Sequence, residues 1–174
     1  FDGTNTSACN INNNINIGGM NIASGYSGVI TQSSGRTITL GASGYSQSGG
    51  TFIGGNSNFT ISAGTFNLTG GAFTAPSATL AIAGNYSANT NVFVHTGGSF
   101  AHNNGTFAFN AAVNSWNAVT YTFDVIPSTR FYNLIINAST CCNIPSVATA
   151  AGDTVHCDNN ITHTDGYISG LFAF

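Results

Sequence analysis

The sequence predicts an all-β chain wound as a β-solenoid, a parallel β-helix-like coil of about 21 residues per turn. Helix is disfavoured almost everywhere. Lys and Glu are absent, 22 residues are Gly, and Asn, Ser, Thr and β-branched residues dominate; these are poor helix formers or compete with the helical backbone for hydrogen bonds. Apolar side chains recur instead at a fixed step of seven, at Ile38, Tyr45, Phe52, Phe59, Phe66, Phe73 and Leu80. Between them stand Gly49-Gly50, Gly54-Gly55, Gly64 and Gly70-Gly71. A coiled-coil seam with this step would need helix formers, so each unit reads as a short strand with alternate side chains buried, closed by a glycine corner.

Residues 1–30 hold Ile11, Ile15, Ile17, Ile22, Val29 and Ile30 among asparagines, which suits opening coils or a cap. In the periodic region three units of seven close one triangular turn. Ile38 then lies over Phe59 over Leu80, and Phe52 over Phe73, at the interstrand spacing of about 4.8 Å. A second inward residue follows two positions later at Leu40, Ile61, Leu68 and Ile82. Ser87 takes the next slot, and after a slip of one residue the step resumes at Phe93, Phe100 and Phe107. The alternative is an antiparallel β-sandwich in which the Gly-Gly pairs are hairpin turns. The constant phase of the buried residue favours stacking, because independent hairpins do not require it.

From Val119 the pattern lengthens. Val119, Tyr121, Phe123 and Val125 alternate, Ile126-Pro127-Ser128-Thr129 turns, and residues 131–137 make a second strand. The organisation expected is a Gly/Ser/Thr/Asn-rich β-repeat region over 1–118 and a less regular C-terminal β region over 119–174, packed on the same domain. The apolar Leu171-Phe172-Ala173-Phe174 is expected to pack into its own domain, a neighbouring subunit or further chain. A first residue of Phe1 rather than Met implies processing or a longer protein.

Charge excludes several partners. Asp, Glu, Lys and Arg make up 4% of the chain, and Arg36 and Arg130 are its only cations. No basic footprint exists for nucleic acid or for an anionic membrane surface, and no apolar run approaches the roughly 20 residues of a spanning helix.

The four cysteines, Cys9, Cys141, Cys142 and Cys157, form no C-x-x-C pair, so disulfides and an oxidising, extracellular setting are the expectation. A Cys141–Cys142 bond would strain an eight-membered ring, so each is expected to pair with Cys9 or Cys157. Sequons begin at Asn5, Asn58, Asn67, Asn85, Asn104, Asn137 and Asn160, and each is a possible glycosylation site.

Chemistry is sparse. Without Glu there is no H-E-x-x-H helix, and without Lys there is neither a phosphate-cradling loop nor a Schiff base. The acids are Asp2, Asp124, Asp153, Asp158 and Asp165, none of them within 38–110, where polysaccharide-cleaving solenoids would cluster carboxylates. His156-Cys157-Asp158 with His163 and Asp165 has ligand types suited to a transition metal. In a three-sided coil, however, the seven-residue step from His156 to His163, like that from His95 to His102, sets the two rings on different sides, and a disulfide-bonded Cys157 could not ligate. The residues therefore point to no catalytic group, metal or cofactor.

The segments Ser27–Gly35, Gly41–Phe52, Gly71–Leu80 and Phe131-Tyr-Asn-Leu-Ile-Ile-Asn137 resemble the repeats of large bacterial secreted and cell-surface β-strand-repeat proteins. The resemblance spans most of 20–170. It implies an extracellular, β-rich surface or filament-forming protein without enzymatic activity; the chain is far shorter than those proteins and richer in cysteine.

Taken with an exterior that lacks the Lys and inward charges which block edge pairing, the expected function is a self-assembling structural subunit of an extracellular filament or cell-surface fibre. Its partner would be further copies of itself, joined end to end or by strand addition. The alternative is an adhesin or carbohydrate-binding module in which Tyr26, Tyr86, Trp116 or Tyr167 stacks on surface glycans. An enzyme would need an acid cluster that only residues 119–174 could assemble.

Overall fold

Strands form on the short segments in which inward apolar and outward polar residues alternate, and corners form where glycine or Asn-rich stretches interrupt them. The computed structural model describes residues 1–86, 88–113, 119–140 and 145–173. In chain order its strands are β1 (Cys9–Ile11), β2 (Ile15–Ile22), β3 (Val29–Gln32), β4 (Ile38–Gln47), β5 (Thr51–Ile53), β6 (Phe59–Ile61), β7 (Phe66–Thr74) and β8 (Thr79–Ile82). They continue as β9 (Thr90–Ala101), β10 (Thr106–Val113), β11 (Thr120–Val125), β12 (Arg130–Thr140), β13 (Ser146–Thr149), β14 (Thr154–Asp165), β15 (Tyr167–Ile168) and β16 (Leu171–Ala173). Among the described residues there is no helix, hence none long and apolar enough to cross a membrane.

Every strand pair described is parallel, so the antiparallel sandwich is ruled out. Three ladders make the sides of a coil. Side A stacks the first half of β2 on β4, β6, β8, β10, β12 and β14. Side B stacks the second half of β2 on β4, β7, β9, β11, β13 and β15. Side C stacks β1, β3, β5 and the later halves of β7 and β9. Beyond β9, the start of β12 pairs with β14 and β14 with β16, while Phe100 and Phe131 lie 5.6 Å apart, ring to ring. Hydrogen bonding from β9 to β11 and from β10 to β12 runs continuously across the 118/119 boundary.

The register is Ile38↔Phe59↔Leu80, Tyr45↔Phe66 and Phe52↔Phe73, a coil of 21 residues. All seven of these side chains are buried. Successive coils lay ring on ring: Tyr45–Phe66 at 5.1 Å, Phe66–Phe93 at 4.7 Å, Phe52–Phe73 at 5.1 Å and Phe73–Phe100 at 5.7 Å, all nearly parallel. Rings from different sides meet edge-on, as Phe66 and Phe73 do at 4.9 Å. Both are the offset and T-shaped arrangements that aromatic quadrupoles prefer.

The coil then grows. Phe93 stacks on Phe66, and Leu80 is followed by Phe107 and Leu134, each a step of 27 residues. What reads in the sequence as a slip of one is an insertion of six at the corner after Ile82; residue 87 itself is outside the described residues. The insertion costs little because corners lie outside the ladders, and it is anchored by Tyr86, which is buried and donates its hydroxyl proton to the Gly64 carbonyl at 2.5 Å. Past β10 the register also shifts at Thr122/Phe123, Phe131/Asn133 and Ile136/Asn137.

Candidate functional site

The terminal coils are the exposed features of this column. Among the described residues β1 and the first half of β2 have a ladder partner on one side alone, as do β15 and β16. Each such strand presents a row of unpaired backbone donors and acceptors. Ile17 occupies an inward slot opposite Leu40 yet is 42% exposed, since no coil covers it. At the other end Tyr167 is 64% and Leu171 61% exposed. Side B of the first coil is covered by the start of the chain: the Phe1 amino group donates to the Asn21 carbonyl at 2.9 Å, the Phe1 carbonyl accepts from the Ala23 N–H at 2.8 Å, and the Phe1 ring lies 5.2 Å from that of Tyr26.

Beside this segment is a hollow of about 320 Å³ lined by Phe1, Asp2, Thr4, Cys9 and Tyr26. Its polar groups are already engaged. The Asp2 carboxylate accepts from both the backbone N–H and the hydroxyl of Thr4, which holds its pKa below the usual value, and the Tyr26 hydroxyl donates to the Ser7 carbonyl at 2.8 Å.

Arg130, Asp158 and His102 meet at one corner. Arg130 Nε and Nη2 both reach Asp158 Oδ1, the former at 2.6 Å, and His102 Nε2 lies 3.4 Å from Asp158 Oδ2. His102 Nδ1 accepts from the Asn104 N–H at 2.9 Å, and its ring stacks on Tyr132 at 5.5 Å. The tautomer is thereby fixed with the proton on Nε2 facing the carboxylate. His102, Arg130 and Asp158 belong to three successive coils, so the group is a latch across coils with no unengaged base. The Arg130 guanidinium holds the Asp158 carboxyl below its usual value, His102 adding to this, and Asp158 in turn raises Arg130.

The other residues singled out in the sequence scatter. Cys9 and Cys157 are free thiols, and Cys157 donates to the Tyr132 and Asn160 carbonyls at 3.2 and 3.1 Å. Cys9 is separated from Phe100, on the same side, by four ladder steps, and Cys157 lies farther on. At about 4.8 Å per step that exceeds the roughly 7 Å a disulfide spans, so these two do not bond to each other. Cys141, Cys142, Trp116 and Phe174 lie outside the described residues. Tyr26 and Tyr86 are buried, so neither offers a ring to a sugar; both sit at corners where the hydroxyl caps a carbonyl. Tyr167 remains exposed. Asn5, Asn58, Asn85, Asn104 and Asn160 are exposed, whereas Asn67 and Asn137 are half-buried in β7 and β12. Among the described residues no three of His, Cys, Asp and Glu converge as a metal site: Cys157 points inward, Asp158 is taken by the latch, and His163 Nε2 lies 2.7 Å from the Gly166 carbonyl.

Three buried polar side chains escaped the sequence reading. Gln47 Nε2 donates to the carbonyls of Gly49, Gly50 and Ala72 at 3.0–3.1 Å, and its Oε1 accepts from the Tyr45 hydroxyl at 2.7 Å. Gln32 likewise donates to the carbonyls of Arg36, Ser57 and Asn58 and accepts from the Gly55 N–H. Each occupies an inward slot and staples a corner to the next coil. A signal was present: the chain's two glutamines both stand two residues after an inward apolar residue and open a Gln-Ser-x-Gly turn. His95, in the inward slot opposite Leu68, shares a 2.8 Å hydrogen bond between Nδ1 and the buried Thr129 hydroxyl, while Nε2 is buried with no partner of hydrogen-bond geometry.

Comparison with protein-family models, curated proteins and solved structures returned no match.

Proposed function

We propose that this chain is a structural subunit of an extracellular, self-assembling filament or surface fibre, joined end to end through its terminal coils. The observation that carries this reading is the coincidence, at both terminal coils, of unpaired parallel strand edges with inward side chains that no further coil covers, Ile17 at one end and Phe172 at the other. Docking the last coil of one copy on the first coil of the next would continue the side A and side C ladders, cover the inward Ile17 and Phe172 and leave heterologous ends free to propagate. No Lys or Glu guards either edge. The resemblance to secreted surface repeats supports the extracellular setting.

Sedimentation velocity and negative-stain microscopy across a concentration series test the reading. The unmodified protein should form filaments of uniform width, and Ile17→Lys and Leu171→Lys, each at one end, should leave short oligomers while keeping the β spectrum. Monodisperse particles at every concentration would end this proposal and favour a binding module.

A further inference from the structure

Side A carries a second feature, independent of the ends. Its inward residues are flanked by two outward columns. One column runs Thr79↔Thr106↔Asn133↔Asn160, preceded by Asn58 and Thr37 in the earlier coils. The other runs without a register shift from Asn16 through Thr39, Thr60, Ala81, Ala108 and Ile135 to Thr162. No residue in either column is charged, and none is aromatic. Ala81 and Ala108 lie almost flush with the surface, so nothing protrudes midway along the side.

We propose that this side binds the surface of ice. In the second column a methyl recurs at every step of about 4.8 Å from Thr39 to Thr162, and hydroxyls adjoin at Thr39–Thr60 and Thr79–Thr106. Alternate residues of a strand stand about 6.7 Å apart, and both spacings are close to the oxygen repeats on the prism face of hexagonal ice. The threonines are stiff at χ1, and the buried Ile38, Phe59, Leu80 and Phe107 between them fix the backbone, so the array is rigid before it meets a lattice. Each hydroxyl both donates and accepts, as a lattice oxygen does, and each methyl orders the water beside it.

Other occupants fit less well. Six ladder steps by a four-residue strand give an area of roughly 400 Å², about half of what one partner contributes to a stable protein interface. The aromatic and Arg anchors of such interfaces are missing, and a sugar polymer would want the aromatic rings that this side lacks. A neutral, periodic solid needs neither, since its many weak contacts act together.

The test uses the whole 174-residue chain at fixed concentration, measuring ice-crystal shaping and inhibition of ice recrystallisation. The unmodified protein should facet single ice crystals and arrest recrystallisation. Thr60→Lys and Thr106→Lys, on side A, should lose both effects with unchanged circular dichroism and melting, while Thr31→Lys, on side C, should keep them. An unmodified folded protein that leaves recrystallisation unaltered overturns the proposal, as does equal loss from substitutions on sides A and C. Self-association abolished by Thr60→Lys without any effect on ice would assign side A to a second copy and overturn it too. Filament formation is scored separately, so neither proposal's failure is mistaken for the other's.

Discussion

Gln47 shows how a single polar side chain can organise an apolar column. Truncating it to Ala would remove its hydrogen bonds to the carbonyls of Gly49, Gly50 and Ala72 and leave the buried Tyr45 hydroxyl without its acceptor, while the Gly50 carbonyl keeps the Ala72 N–H. An unsatisfied buried group costs about 1–3 kcal/mol, and partial relaxation brings the expected loss for Gln47→Ala to about 3 kcal/mol, read as a lowered urea midpoint. An unchanged midpoint would mean that the staple adds nothing. His95 gives a pH dependence. Burial pushes its pKa below 6.5, with the Gly98 backbone opposing, and its ladder neighbours Leu68 and Val125 bring no compensating charge. The folded state thus binds fewer protons than the unfolded chain, so stability is full above 6.5 and falls as pH drops through that value toward the lowered one. His95→Leu, which copies the Leu68 beneath it, should flatten the change in urea midpoint between pH 7 and pH 5. Asp158 acts in a separate window. Its carboxyl is held below 3.8, so the latch persists above the unfolded carboxylate value and is lost as pH falls through the folded one, leaving the pH 5 measurement to His95.

At the scale of the strand and its corner, the side B to side C corner repeats in register. Gly50, Gly71 and Gly98 each have a positive φ, between 57° and 81°, and a Cβ on Gly71 would press on the Gly49 and Gly50 carbonyl oxygens of the coil below. Gly71→Ala should therefore cost at least the 1–2 kcal/mol of a left-handed L-residue, measurable as a lowered melting temperature; an unperturbed melt would show that the corner relaxes freely. The strands were legible in the sequence because burial alternates and the step of seven holds its phase from Ile38 to Leu80. The growth to 27 residues was not, because an insertion confined to a corner leaves every strand slot intact and shows only as a phase slip. The glutamine staples were hidden for a different reason. Polarity in a sequence reads as exposure, and only the stacked coil reveals corner carbonyls that need a donor within the core. Tyr26 and Tyr86, offered to sugars only in the alternative reading, are core residues whose rings are buried while their hydroxyls serve corners.

The whole molecule is quasi-one-dimensional: each coil touches the coil before and the coil after, so stability is a sum of coil and interface terms. Protection against hydrogen exchange should peak in the coils of β6 to β10 and decline toward β1 at one end and β15 and β16 at the other, as peptide-resolved mass spectrometry would show. A uniform profile would instead mean that the column opens all at once. The same architecture makes length editable in whole storeys. Because Phe59 through Thr79 complete one 21-residue circuit, excising them would bring Leu80 directly onto Ile38 and Phe93 onto Tyr45 with every inward phase kept. The shortened protein would be one storey, about 4.8 Å, lower, a ruler cut cleanly at its own graduation.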